Sequence, residues 1–215
     1  MNIKPVNLVL FTLALGVFIY AFFFYDDSKP LRKLPVYGNK YLENKDTVFH
    51  KVPSFTFINQ DSAVVTDKNF DGSVYVADFF FTTCQSICPV MSTQMQKVSE
   101  AFKDNNTVKF ISHTVDPETD SVAQLKTYAT QHKADSEQWV FVTGDKKSLY
   151  DIARTGYLLD AHEGDGGPDD FIHTQNFALI DKEKRIRGFY DGTNTQEIEQ
   201  LIKDINLLLA EYSSQ

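Results

Sequence analysis

Cysteine is scarce in this chain. Only Cys84 and Cys88 occur in 215 residues, too few for a disulfide-dense scaffold. Positive charge is also short. Lys and Arg number 21 against 29 Asp and Glu, a formal net charge of −8. An acidic chain is a poor general binder of phosphate backbones, so nucleic acid is not an expected partner. Internal repeats and low-complexity runs are absent. The residues before the first apolar stretch contain no Arg-rich amphipathic segment, so a mitochondrial transit peptide is not expected. Aromatic residues, by contrast, are plentiful. With 18 Phe and 42% hydrophobic residues, the chain can bury a core, so disorder is excluded and one domain or two small ones are expected.

From Pro5 to Tyr25 no residue is charged. As a helix, such a stretch rises roughly 32 Å, about the thickness of a hydrocarbon core. Phe22, Phe23, Phe24 and Tyr25 supply an interfacial aromatic belt at its end. The alternative is a cleaved signal peptide. However, Asp26-Asp27-Ser28-Lys29-Pro30 contains no small-x-small cleavage site, and no lipobox cysteine is present. An uncleaved transmembrane anchor is therefore expected over residues 1–25, including a short cytoplasmic tip. Lys4 precedes the span and Asp26 and Asp27 follow it, which places the bulk of the chain outside. A bacterial inner membrane, with the soluble part in the periplasm, is the expected location. That compartment permits disulfides.

Lys4 is the single basic residue before Asp26, so residues 26–215 carry 20 basic and 29 acidic side chains, a net −9. Residues 26–50 read as a tether and lead-in segment, broken by Pro30, Pro35 and Gly38. Residues 51–215 alternate between strand and helix patterns. Strands are expected over 54–59, 73–81, 108–115, 139–143, 176–180 and 185–190, with 63–66 as a hairpin return after Asp61-Ser62. Helices are expected over 89–103, 121–132, 147–154 and 195–212. The first should turn Val90, Met91, Met95, Val98 and Phe102 inward, and the second Val122, Leu125, Tyr128 and Ala129. The order is a strand with its hairpin, βαβαβ, then ββα. This is an α/β layout, a thioredoxin-like fold with an added N-terminal β-hairpin.

Cys84 and Cys88 follow the buried strand 73–81 and open the next helix, in Phe81-Thr82-Thr83-Cys84-Gln85-Ser86-Ile87-Cys88-Pro89. Chemistry in open α/β sheets gathers beyond the C-terminal strand ends, and a helix N-terminus favours a thiolate. A disulfide closing so short a loop would stabilise little. Two functional readings stand beside an inert pair: a redox couple and a soft-metal site. Two thiolates with three intervening residues suit Cu(I) best and Zn(II) next, although a structural zinc site wants four protein ligands.

A nitrogen ligand, needed if Cu(II) is also held, has five candidates. His50 lies in the lead-in segment, His132 ends an exposed helix, and His113 sits near a strand end, where a core histidine is the ordinary outcome. His162 falls in a glycine-rich polar loop. His173 follows that loop and precedes the hairpin strand at 176, which in a thioredoxin-like fold passes over the end of the first helix.

These residues resemble the Sco/SenC family of membrane-anchored copper proteins. The resemblance rests on Cys84-x3-Cys88-Pro89 after Phe79-Phe80-Phe81, on Val115-Asp116-Pro117-Glu118-Thr119-Asp120, and on His173, placed before a hydrophobic strand that ends at Asp181. It implies a thioredoxin-like fold, and copper, as Cu(I) and also Cu(II), held by Cys84, Cys88 and His173. It implies assistance in assembling the binuclear copper centre of cytochrome c oxidase subunit II, with other copper chaperones or thiol-disulfide proteins as further partners. The same pair, without metal, would serve a membrane-anchored thiol-disulfide oxidoreductase. The chain departs from the family pattern at Gln85-Ser86-Ile87, where Pro-Asp is common, and at Ile172, where Asp often precedes the histidine. Both changes alter charge around the site, which tunes metal affinity and redox poise.

Overall fold

The computed structural model describes residues 33–43, 46–160, 172 and 174–213, together with Leu15. The chain divides into two units, Met1–Arg32 and Lys33–Gln215, and the second is described below. The expected anchor and the first part of the tether lie outside the described residues, Leu15 apart. Among the described residues no helix is long and apolar enough to cross a membrane.

Within the lead-in segment, β1 (Lys40–Glu43) pairs antiparallel with β2 (Asp46–Phe49), a small hairpin the sequence reading had not placed. The main sheet has seven strands: β3 (Thr56–Asn59), β4 (Val64–Thr66), β5 (Val74–Phe80), β6 (Val108–Thr114), β7 (Trp139–Thr143), β8 (Asn176–Ile180) and β9 (Ile186–Asp191). Their spatial order is β4-β3-β7-β6-β5-β8-β9. The helices are α1 (Ile87–Ala101), α2 (Val122–Gln131), α3 (Lys146–Asp151) and α4 (Thr195–Ser213). This is the expected mixed α/β, thioredoxin-like architecture with its added hairpin β3–β4. A central β5-β6-β7 set is parallel; β8 pairs antiparallel with β5 and β9 antiparallel with β8, while β3 pairs antiparallel with both β7 and β4.

All seven residues of β5 are buried. That follows from its place between β6 and β8 with layers packed on both faces, the reason its sequence is almost wholly apolar. Val76 and Phe80 face the layer built from α1, α2 and α4, with Met91, Met95, Leu125, Leu201 and Ile205. Tyr75, Ala77 and Phe79 face the opposite layer, with Phe55, Phe57, Leu149 and Tyr157. Val90 departs from the expected inner face. It is 44% exposed, because it lies off the stripe of Cys88, Met91, Ser92, Met95 and Val98 that α1 buries.

The β8–β9 turn carries a buried charge cluster. Asp181 accepts hydrogen bonds from the Glu183 and Arg185 amides and from the Arg185 and Arg187 guanidinium groups. Arg187 is itself buried and also donates to Glu211 and to the carbonyls of Leu34 and Pro35. It thereby fastens the lead-in segment to the domain.

Candidate functional site

Phe80 of β5 and Thr114 of β6 are register partners, so the two strands end side by side. Beyond Phe80 the chain turns tightly. The Cys84 amide donates to the Phe81 carbonyl at 3.2 Å, with Thr82 and Thr83 inside the turn. Ser86 then caps α1 by position, but its hydroxyl makes no bond to the helix backbone. The hydroxyl lies 3.6 Å from the Cys84 sulfur instead. The free amides of the first turn are consequently left for another acceptor.

Cys84, just ahead of that turn, is the group whose anion they favour. Both cysteines are reduced, Cys84 partly exposed and Cys88 buried. Burial by itself would raise the Cys84 thiol. It is outweighed by hydrogen bonds from the Cys88 thiol, the Cys88 and Ser86 amides and the Ser86 hydroxyl, and the thiol is pulled down to about 7. Cys88 moves the other way, to about 12. Burial is the main cause, reinforced by donation to Cys84 and by the nearby Asp78 carboxylate, while a Phe81 backbone bond opposes it. The sequence had assigned a helix-end thiolate to the pair as a whole; the structure assigns it to Cys84.

Two acidic residues behind the pair were missed as parts of the site. Asp78 lies in the middle of β5, 1% exposed, and accepts a 2.5 Å hydrogen bond from Ser112, which in turn accepts one from the Trp139 indole. Burial raises its carboxyl to about 7, against the Ser112 bond. Its signal was visible: a single carboxylate in an apolar run, on the same face as Val76 and Phe80. Asp120, part of the motif behind the family resemblance, directly precedes a helix that either it or Ser121 could cap by sequence. Ser121 supplies the cap, through a reciprocal box with Gln124, while Asp120 turns inward and bonds Thr82 and Thr114. An open polar cleft of about 220 Å³ adjoins Thr82, lined by Gln124, Thr127, Tyr128 and Gln131. A larger cleft, about 340 Å³, lies between β3 and α3 and includes neither cysteine.

The histidines separate. His50 bonds the Gly156 carbonyl at 2.8 Å, away from the pair. His113 is fully buried in the layer opposite Cys88, among Phe55, Phe57, Phe79 and Tyr157. Burial lowers it to about 3, opposed only by the Asp78 carbonyl, so it is a core residue. His132 follows α2, packs on Tyr128, and has its protonated form disfavoured by burial, so it is a poor partner for the helix dipole. His162 and His173 lie outside the described residues, as does most of the acidic loop from Asp160 to Asp170. Asp160 itself is buried and pairs with Arg154 at 3.3 Å. Ile172, which precedes His173, is 3% exposed and anchored in the core. Among the described residues no three His, Cys, Asp or Glu side chains are grouped to hold a metal; the cysteine pair supplies two sulfurs.

The model of the SCO1/SenC family matches residues 43–210. The chain is 32% identical over 163 residues to a protein of Bacillus subtilis (strain 168) described as a SCO1 protein homolog, covering 75% of this chain and 84% of that one. Among solved structures it is similar to BsSco, described as having a disulfide switch and as a member of the Sco family of cytochrome c oxidase assembly proteins. The TM-score is 0.63 at 30% identity, over 74% of this chain and 93% of that one. It is also similar to Bradyrhizobium japonicum ScoI with copper bound, at a TM-score of 0.59 and 25% identity, over 74% and 99% of the two chains.

Proposed function

The chain belongs to the SCO1/SenC family, and we propose that it carries copper as cargo to the binuclear centre of cytochrome c oxidase subunit II. The observation that carries this reading is the reduced Cys84–Cys88 pair at the N-terminus of α1, with Cys84 drawn towards the thiolate. Two soft sulfurs, one just before α1 and one in its first turn, fit Cu(I). The similarity to a copper-bound ScoI and to a cytochrome c oxidase assembly protein supports both the cargo and the acceptor. His173 is the third ligand in this reading. Binding displaces a proton from Cys88, so loading is favoured as pH rises.

The apolar span 5–25 holds the domain at the inner membrane on its periplasmic side, where tethering raises the effective concentration of the carrier near a membrane-bound acceptor. Cu(I) titration of the full chain under reducing conditions tests the proposal. One ion per chain is expected, with the ion lost in Cys84→Ser and held more weakly in His173→Ala. A Cys84→Ser variant that binds copper like the wild type would refute it.

A second reading has its own support. Hydrogen bonding from the Cys88 thiol favours the Cys84 thiolate, and the two differ strongly in acidity, as a disulfide-exchanging pair should. As a reductant, the Cys84 thiolate attacks a partner disulfide, and Cys88 then displaces the partner thiol, leaving Cys84–Cys88 oxidised and the partner reduced by two electrons. This activity would be indifferent to His173→Ala and abolished by loss of either cysteine.

A further inference from the structure

Asp120 bridges the ends of β5 and β6. It is fully buried. Its two carboxylate oxygens each lie 3.2 Å from the Thr82 amide, and they also accept hydrogen bonds from the Thr82 and Thr114 hydroxyls. Every one of these donors is uncharged. A buried carboxylate is tolerated only when hydrogen bonds replace its lost hydration, so the threonines hold Asp120 as firmly as Asp120 holds them. The capping of α2 falls to Ser121, which leaves the whole carboxylate for this clasp.

What the clasp holds is the turn before the cysteines. Thr82 is the first residue inside the Phe81–Cys84 turn, and both its polar groups are fixed by Asp120. The direction of that turn sets where the Cys84 sulfur lies against the start of α1, where the Ser86 hydroxyl is 3.6 Å from it. We infer that Asp120 is a positioning residue for the cysteine pair, acting through Thr82. The alternative is that Asp120 contributes only to stability. The two are separable because Ser121, its neighbour, has a purely capping role. The inference deepens the copper reading of the same site, but its first test needs no metal.

The experiment measures iodoacetamide alkylation of Cys84 in the full chain, metal-free and reduced, at pH 7. Asp120→Asn leaves one acceptor oxygen where there were two, and Thr82→Val removes the hydroxyl while keeping the shape. Both are expected to slow alkylation about fivefold or more. Thr82→Ser keeps the hydroxyl and should stay within about twofold of the wild type. Ser121→Ala should lower the melting temperature yet leave the rate within about twofold. Copper affinity should fall about tenfold in the two clasp variants, as for other groups that orient metal ligands.

The inference is overturned if Asp120→Asn and Thr82→Val melt earlier but alkylate like the wild type. It is also overturned if Ser121→Ala slows alkylation as much as they do, or if Thr82→Ser fails to restore it. Should Asp120→Asn not fold, the Thr82→Val and Thr82→Ser pair decides. A wild type that binds no copper while alkylation follows the expected pattern would sink the copper reading and support this one.

Discussion

The split between the two thiols leads to a reactivity difference large enough to measure directly. Cys84 stands at about 7 and Cys88 at about 12. At pH 7 the first is roughly half thiolate and the second roughly one part in 100,000. Thiolate nucleophilicity falls with falling pKa, with a Brønsted slope of about 0.4–0.5, which returns about two powers of ten to Cys88. The net expectation is that iodoacetamide labels Cys84 about 100- to 1000-fold faster, and the burial of Cys88 adds to this. Between pH 6 and 8 the Cys84 rate should rise about tenfold and then level, following its thiolate fraction. Peptide mapping after timed quenching reads both sites at once.

The same shift has a stability consequence. Because the folded Cys84 lies below the ordinary thiol value of 9.0, its stabilising effect is present above pH 9 and is lost as pH falls through about 7. Cys88→Ala removes the thiol that donates to Cys84, so the Cys84 midpoint should move up and its rate at pH 7 should drop. Comparable labelling of both cysteines at pH 7, or a Cys84 rate still climbing steeply above pH 8.5, would refute the helix-terminus account.

Asp78→Asn tests the buried carboxyl. With the folded value raised from 3.8 to about 7, its protonated form favours folding, and stability falls as pH rises from about 4 through about 7. The full effect is on the order of 4 kcal/mol. The variant should therefore gain on the wild type in urea unfolding at pH 8 and match it at pH 4; a constant difference would contradict the assignment. Arg187→Met strips a donor from Asp181, Glu211 and the Leu34 and Pro35 carbonyls. Removing one partner of a buried ion pair costs about 3–5 kcal/mol, and limited proteolysis should reach the lead-in segment sooner; a loss under about 1 kcal/mol argues against this role for Arg187. Ser121→Ala removes the α2 cap and should cost about 1 kcal/mol in denaturant melts, with no change indicating that the Gln124 box carries nothing.

Periodicity located the strands and helices because both faces of β5 and one face each of α1, α2 and α4 are buried, and burial is written in side-chain type. It failed where burial was not the cause. Val90 is apolar but lies on α1 away from the buried stripe of Cys88, Met91, Met95 and Val98. The β1–β2 hairpin is short and largely exposed, so no apolar alternation marked it. Asp120 looked like a cap because Asp before a helix usually is one. Only the register of Phe80 with Thr114 shows that its carboxylate meets Thr82 instead.

The sequence by itself determined the two-cysteine chemistry, the α/β order and the family resemblance, since residue type, spacing and hydrophobic period are local properties. Tertiary structure alone decided which thiol is acidic, because that depends on which sulfur faces the first-turn amides and which is buried beside Asp78. It alone removed His113 from the candidate ligands, by placing the ring on the far side of the sheet from Cys88. Hydrogen bonds and desolvation act over a few ångströms in space, between residues that stand 38 positions apart in the chain, as Thr82 and Asp120 do.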